Sequence, residues 1–161
     1  MKRSIAGVCA GLALFAAAPA GATPLAPTKA SDVVVLRASG SGATCLPMGG
    51  GIDVDLQVLP DGTVVPYAPP AGKALVITGF DWSSTGGTPG VNALTAIRLA
   101  GSHGPAPLVF ATGASSDASG TAVESAIVPN VSVFPGVTVC VGTQGASIGQ
   151  VVVHGFHTVA K

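Results

Sequence analysis

The chain has 161 residues, with seven Lys or Arg against seven Asp or Glu, and only 9% of its residues are charged. The basic residues are scattered singly, which argues against a nucleic-acid-binding protein and against attachment to a membrane through a basic helix. A low charge content together with abundant Gly, Ala, Val, Ser and Thr is typical of a neutral extracellular β-protein.

The N-terminus has the pattern of an export signal. Lys2 and Arg3 precede an apolar run over residues 5–18, and the small residues 20–22 form an A-x-A-like cleavage site. The run is shorter than the ~20 residues that a membrane-spanning helix needs. We therefore expect residues 1–22 to be a signal helix that is removed, and the mature protein to be secreted to the periplasm, the cell surface or the medium.

Removal of the leader would discard Lys2, Arg3 and Cys9. The remaining chain holds five Lys or Arg against seven Asp or Glu, a net charge of −2. Its two cysteines, Cys45 and Cys140, form an even pair, which predicts a disulfide in an oxidising compartment. The alternative, a pair of metal-ligand thiols, lacks the C-x-x-C or nearby histidine spacing of zinc sites. We therefore expect no metal and no cofactor.

The remaining residues are expected to form one folded domain. Residues 23–31 contain two prolines and no periodicity, which indicates a flexible N-terminal arm. Residues 32–161 are sufficient to bury a single core.

Short β-branched runs separated by Gly, Pro, Asn and Asp recur throughout this domain, and no window shows helical spacing. They predict about nine strands: Val33–Ala38, Ile52–Leu59, Thr63–Tyr67, Lys73–Trp82, Leu94–Ala100, Leu108–Thr112, Thr121–Val128, Gly136–Gly142 and Gln150–Val159. Many short strands with frequent turn signals and one long-range disulfide predict an all-β fold, a two-sheet antiparallel β-sandwich or jelly roll. A closed barrel is the alternative.

Apolar and polar residues alternate along the second strand, over 52–58, so one face is expected to be buried and the other wet. Asp53 and Asp55 would share the wet face. Two carboxylates at this spacing suggest calcium binding or acid–base chemistry. However, calcium needs six to eight oxygens, and no third acid lies beside them in the sequence. The cleft that glycoside hydrolysis requires cannot be established from spacing.

The segment Lys73–Trp82 is apolar on both faces, which predicts a central strand. Regular alternation would place Leu75 and Ile77 on one face, and Phe80 and Trp82 on the other.

Two stretches carry a family resemblance. Residues 70–78 read P-A-G-K-x-L-x-I-T at the start of a long strand, and residues 153–156 read V-x-G-[YF] in the final strand. Both resemble sequences in secreted bacterial β-sandwich proteins of unassigned role. The resemblance implies a fold and no activity, because a fold is not a function.

One enzyme motif is present. Residues 145–149 read G-x-S-x-G, the pattern of a nucleophile elbow with Ser147 as the nucleophile. An elbow is followed by a helix, whereas residues 150–159 predict a strand, so we expect Ser147 to be a turn residue. A hydrolase would require Ser147 to lie near His154 or His157.

The three histidines are not expected to share a metal. His154 and His157 are an odd number of residues apart, so they point to opposite faces of a regular strand unless Gly155 forms a bulge. His103 is expected at a loop tip.

The longest candidate loop, residues 83–92, follows Trp82. Exposed aromatic rings stack on sugar faces, and the chain has few aromatic residues. Trp82 is therefore the ring nominated to bind a ligand, together with Asn92 at the end of the loop. The competing prediction is that Trp82 caps the core.

The sequence as a whole predicts a secreted or surface-exposed, non-enzymatic β-sandwich that acts as a structural, assembly or binding module. A carbohydrate-binding module that uses Trp82 and the 83–92 loop is the first alternative, and a small secreted hydrolase is the second. The expected partners are further copies of the chain, since strands with little charge have few guards against edge pairing, or a glycan or surface partner.

Overall fold

The structure, a computed structural model, describes residues 26–40, 44–45, 51–101 and 107–160. The predicted signal helix and His103 lie outside these ranges. A 3-10 turn at Ala30–Asp32 precedes nine strands, β1 (Val33–Ala38), β2 (Ile52–Val58), β3 (Val64–Pro66), β4 (Lys73–Thr85), β5 (Asn92–Ala100), β6 (Leu108–Ser115), β7 (Ala122–Val133), β8 (Thr138–Gln144) and β9 (Ser147–Val159). A search of the described residues finds no helix that is long and apolar enough to span a membrane.

All strand pairs are antiparallel, and the strand order is β6-β5-β8-β2-β1-β9-β4-β7, with β3 paired to β2. The sheet bends at β2, whose first residues pair with β8 and whose last residues pair with β1 and β3. The two strands at the ends of this order also approach each other, because Thr112 Oγ1 on β6 donates to Glu124 Oε1 on β7 at 2.7 Å. The all-β prediction is confirmed, and the sheet is nearly closed and barrel-like.

One apolar core lies between the two halves of this sheet. Leu36, Phe80 and Val153 come from the β1–β9–β4 side, and Ile97 and Val141 come from the β5–β8 side. All five side chains are fully buried. Contact between the two sets stabilises the bend in the sheet, because neither half can bury its apolar face alone.

β4 is the central strand that its sequence predicts, since it lies between β7 and β9. Its register against both neighbours shifts between Ile77 and Gly79. A bulge of this kind inserts an extra residue and reverses the alternation that follows it. Leu75, Ile77, Phe80 and Trp82 therefore all belong to the same core cluster, and the prediction that they occupy two faces was wrong.

β2 also departs from its predicted alternation. Its register against β1 shifts between Arg37 and Ala38, which leaves Asp55 as an extra residue. The neighbouring residues Asp53 and Val54 are also both buried, since Val54 belongs to the core and the backbone of residues 44–45 donates to the Asp53 carboxylate. The strand therefore lacks the single wet face that its polar positions predicted.

The predicted disulfide between Cys45 and Cys140 is present, with an S–S distance of 2.03 Å and a sequence separation of 95 residues. It joins the segment between β1 and β2 to β8. In the chain-entropy model, closure of a loop of this length destabilises the unfolded chain by roughly 4 to 5 kcal/mol.

Candidate functional site

Trp82 is only 2% exposed and belongs to the apolar core. Its ring is therefore not accessible for stacking on a sugar, and it packs as the competing prediction expected. Asn92 is exposed at the start of β5, where its Oδ1 accepts a hydrogen bond from Ser115 Oγ at 2.6 Å.

The loop beside Trp82 is shorter than predicted, because β4 continues to Thr85 and leaves only residues 86–91 outside strands. This loop docks on the 116–121 turn between β6 and β7. Gly87 N donates to Gly120 O at 2.9 Å, and Gly90 N donates to Ser116 O at 2.9 Å. Gly120 has a φ of +77°, and a Cβ there would collide with the Gly87 carbonyl oxygen. The loop is thus a hydrogen-bonded cap on one end of the core.

Ser147 is exposed and pairs with Thr85 at the start of β9. His154 and His157 lie seven and ten residues further along the same extended strand. At about 3.3 Å per residue, these separations correspond to roughly 23 and 33 Å. The arrangement that the hydrolase hypothesis requires is not formed.

The carboxylates of Asp53 and Asp55 have separate structural partners. Asp53 accepts hydrogen bonds from the backbone N–H groups of Thr44 and Cys45, while Asp55 accepts from the N–H and hydroxyl of Ser39. Among the described residues, Cys45, Asp53 and Cys140 are close enough to hold a metal ion. The two sulfurs are bonded to each other, however, and the thiolate is the metal-binding form of cysteine.

A hydrogen-bonded cluster lies on the outer face of the β7–β4–β9 sheet. Asp81 on β4 accepts from the Ser125 hydroxyl on β7 through Oδ1, and its Oδ2 lies 2.7 Å from His154 Nε2 on β9. The Ser125 hydrogen bond and then the His154 contact hold the pKa of Asp81 below its usual value. The Asp81 and His154 side chains are each 42% exposed, so the cluster is accessible to a partner.

The sequence analysis missed Asp81, because no local motif contains it. Ser125 is 44 residues away in sequence and His154 is 73 residues away, and only the sheet register brings the three residues together. The one local signal was a carboxylate inside an otherwise apolar strand.

A shallow groove of about 460 Å³ adjoins this cluster. Two of the aliphatic side chains on this face are strongly exposed, Val123 at 70% and Ile127 at 89%. We call the region made by the groove, the Asp81 cluster and these two side chains the outer β7 face. The groove is lined by Asp81, Trp82, Ser83, Val123, Glu124, Ser125, Gln150 and Val152.

A second cluster lies at the opposite end of β9 and is largely buried. Tyr67 Oη lies 3.0 Å from His157 Nε2, and the two rings are stacked with centroids 6.0 Å apart. Asp32 Oδ1 lies 3.8 Å from Lys73 Nζ, and Asp32 Oδ2 accepts a hydrogen bond from Thr28 Oγ1 at 3.1 Å. These contacts fasten the segment before β1 to the end of the barrel.

Both rings of this cluster are neutral at pH 7. Desolvation lowers the pKa of His157 most strongly, Asp32 raises it, and Lys73 lowers it. Burial raises the pKa of Tyr67 to about 12. A neutral imidazole and a neutral phenol suit a buried hydrogen bond, because neither group then carries an unsolvated charge.

No protein-family model matches the chain, and no curated protein is significantly similar to it. The function is therefore argued from the geometry of the molecule.

Proposed function

We propose that the protein is a secreted, non-enzymatic assembly module that associates with a second copy of itself through the outer β7 face. The observation that carries the proposal is the exposure of Val123 and Ile127, at 70% and 89%, beside a groove on the same face. Val123 and Ile127 are four residues, or about 13 Å, apart on the same face of β7, with Ser125 between them. Exposed aliphatic side chains rimmed by polar groups are common on surfaces that bind another protein.

The position of β7 in the sheet supports this proposal. β7 is at one end of the strand order and forms a backbone ladder only with β4. Proteins commonly protect edge strands with Lys, Pro or inward-pointing charges. From Ala122 to Val128, β7 carries a single charged residue, Glu124, which lies opposite Trp82 and accepts a hydrogen bond from Thr112 on β6. Because β6 approaches the backbone edge of β7, association would use the outer face of the strand, where Val123 and Ile127 are exposed.

The chemistry of the face favours a second copy as the occupant. A two-fold contact requires one patch that complements itself, and here protruding aliphatic side chains lie beside a groove that could receive them. The Asp81 carboxylate is hydrogen-bonded to Ser125 and contacts His154 within the face, so two copies do not present unpartnered carboxylates to each other. With 9% of all residues charged, long-range repulsion between copies is also small.

The two alternatives from the sequence have less support. Of the described groove-lining residues, Trp82 is the only aromatic one, and its ring is buried, so a sugar would find no stacking surface. Ser147 lies about 23 Å along β9 from the nearer histidine, which is far beyond hydrogen-bond reach.

Sedimentation velocity on the mature protein over a range of concentrations tests the proposal. We expect a concentration-dependent dimer or larger oligomer. Val123→Glu and Ile127→Glu should each weaken association at least tenfold, because a carboxylate would be buried in an apolar contact. Far-UV circular dichroism of each variant would confirm that the fold is retained.

The matched control is Val159→Glu. Val159 is 60% exposed and pairs with Lys73 on β4, whereas Val123 pairs with Ser83 on the same strand. Lys73 and Ser83 are ten residues apart, so Val159 lies about 33 Å from Val123. This variant should associate as the wild type does. A wild-type protein that stays monomeric at the highest concentration, or equal effects of all three substitutions, would refute the proposal.

A further inference from the structure

Four polar side-chain atoms are buried in the described part of the chain without a hydrogen-bond partner. They are Trp82 Nε1, Ser84 Oγ, Thr95 Oγ1 and Ser116 Oγ. All four residues are at least nine-tenths buried. Buried polar atoms in native proteins are almost always paired with protein or with ordered water, because an unpaired group loses its hydration without compensation.

These four groups lie at the same end of the core. Trp82 and Ser84 are two residues apart near the end of β4, and both are buried. The 86–91 loop connects this end to the start of β5, where Thr95 is fully buried. Ser116 begins the turn that hydrogen-bonds to the same loop, and its Oγ lies directly against Gly87.

Several apolar side chains at this end of the core are alanines, although Ile148 on β9 also lies opposite Ser84. Ala122 lies opposite Ser84 in the β4–β7 ladder, and Ala93 lies opposite Ala114 in the β5–β6 ladder. Ala146, in the turn between β8 and β9, packs against the same cluster. Alanine and serine leave space that leucine or phenylalanine fills elsewhere in a core, and buried water occupies polar sites of this kind.

We infer that Trp82, Ser84, Thr95 and Ser116 line an internal polar pocket that binds ordered water beneath the 86–91 loop. The indole N–H can only donate, whereas each hydroxyl can donate and accept. A ligand that bridges them must therefore both donate and accept hydrogen bonds, and it must also be very small. Water meets these requirements. Trp82 also lines the groove of the outer β7 face, but Ser84, Thr95 and Ser116 do not, and the binding of water in the pocket does not depend on assembly.

A crystal structure of the mature protein at a resolution that places water is the direct test. We expect ordered density within about 3.2 Å of at least two of the four atoms. The inference is overturned if the four atoms contact only apolar groups. It is also overturned if side-chain rotation pairs them directly with one another, with no solvent between them.

Thermal unfolding of Thr95→Val and Ser84→Ala provides a test that does not require crystals. If water bridges these hydroxyls, each substitution removes a partner from a bound molecule, and we expect the Tm to fall by about 3 °C. If the hydroxyls are unpaired, their removal relieves a desolvation penalty, and the Tm would rise or remain unchanged. Ser147→Ala, at an exposed site, is the matched control and should leave the Tm unchanged.

Trp82 is the only tryptophan in the chain, so all tryptophan fluorescence comes from a residue of this pocket. Loss of a bound water beside the indole should shift the emission of Thr95→Val or Ser84→Ala to shorter wavelength. Unchanged emission in both variants, together with an unchanged Tm, would contradict the inference. In an Ile127→Glu background, Thr95→Val and Ser84→Ala should change the Tm and the emission by the same amounts as in the wild-type background, which separates the pocket from the proposed assembly.

Discussion

His154 and His157 lie three residues apart on β9, and the structure gives them opposite environments. The side chain of His154 is 42% exposed on the outer face and contacts Asp81, whereas His157 is 9% exposed and is bound to Tyr67 at the end of the barrel. The comparison shows that the neighbouring strands, more than the local sequence, determine what a histidine does in a sheet. The outer contact is available to a partner, and the inner contact stabilises the fold.

The two contacts should also differ in energy. An exposed ion pair contributes little to stability, because water solvates the separated charges almost as well. Deletion of one partner of a buried hydrogen bond costs more stability, because the other partner remains desolvated and unpaired.

Gly155 lies between the two histidines, and its replacement should disturb both contacts. A Cβ at this position would collide with the carbonyl oxygen of Val76 on β4. Gly155→Ala must therefore separate β9 from β4, and we expect a loss of about 2–4 kcal/mol in the free energy of unfolding. Urea denaturation measures this loss. Gly142→Ala is the control, since a Cβ there meets only Gly51 Cα at 3.9 Å, and equal stability of the two variants would contradict the prediction.

Tyr67→Phe should affect only the inner contact. The substitution leaves His157 Nε2 buried without its hydrogen-bond partner, and we expect a cost of about 1–2 kcal/mol by urea denaturation. The double variant Tyr67→Phe with His157→Phe should recover part of this loss, because it removes both polar groups. A double variant whose loss equals the sum of the two single losses would show that the pair is not coupled.

The inner histidine should make stability depend on pH. The pKa of His157 is lowered in the folded protein, chiefly by desolvation, while an unfolded histidine titrates near 6.5. The unfolded chain therefore binds more protons below pH 6.5, and the free energy of unfolding should decrease as the pH falls from 6.5 towards the folded pKa. His157→Phe should remove this part of the pH profile, whereas His154→Gln should retain it. An identical profile in both variants would refute the assignment to His157.

Asp81→Asn should have the smallest effect. The outer pair is exposed, so we expect a loss of no more than about 0.5–1 kcal/mol near neutral pH, measured by urea denaturation. Because the pKa of Asp81 is lowered in the folded protein, its contribution is present above the usual value of 3.8 and is lost as the pH falls towards the folded pKa. A larger loss of stability in Asp81→Asn than in Tyr67→Phe would contradict the expectation that the inner contact is the stronger of the two.

Most of the strands could be predicted from the sequence because their signals are local. Alternation, β-branched residues and turn residues lie within a few positions of one another, and they predicted the existence and order of all nine strands. The bounds were less accurate, because β7 ends five residues later than predicted and β4, β6 and β9 are each three residues longer. The disulfide could also be predicted, since only one pairing remains when Cys9 is assigned to the expected signal helix. The face assignments failed at the bulges in β2 and β4, because a bulge depends on the register with neighbouring strands.

The candidate site was much less predictable. Trp82 looked like a strand-end residue beside a loop, but β4 continues three residues further and the ring points into the core. Asp81 and Ser125 meet only because the β4–β7 register aligns them, and no short motif encodes that alignment. Val123 and Ile127 are ordinary strand residues in the sequence, and their exposure depends on which face of β7 the β4–β7 register turns away from the core.

β9 lies in the middle of the sheet, where it pairs with both β1 and β4 and Val33 lies opposite Phe156. The barrel therefore cannot form until β9 is available, and its folding must bring β1 and β9 together across more than 100 residues of sequence. Topologies dominated by such distant pairings fold in milliseconds to seconds, more slowly than helical domains. A chain shortened before β9 would leave β1 and β4 as unpaired edges, so we expect such fragments to aggregate or to be degraded.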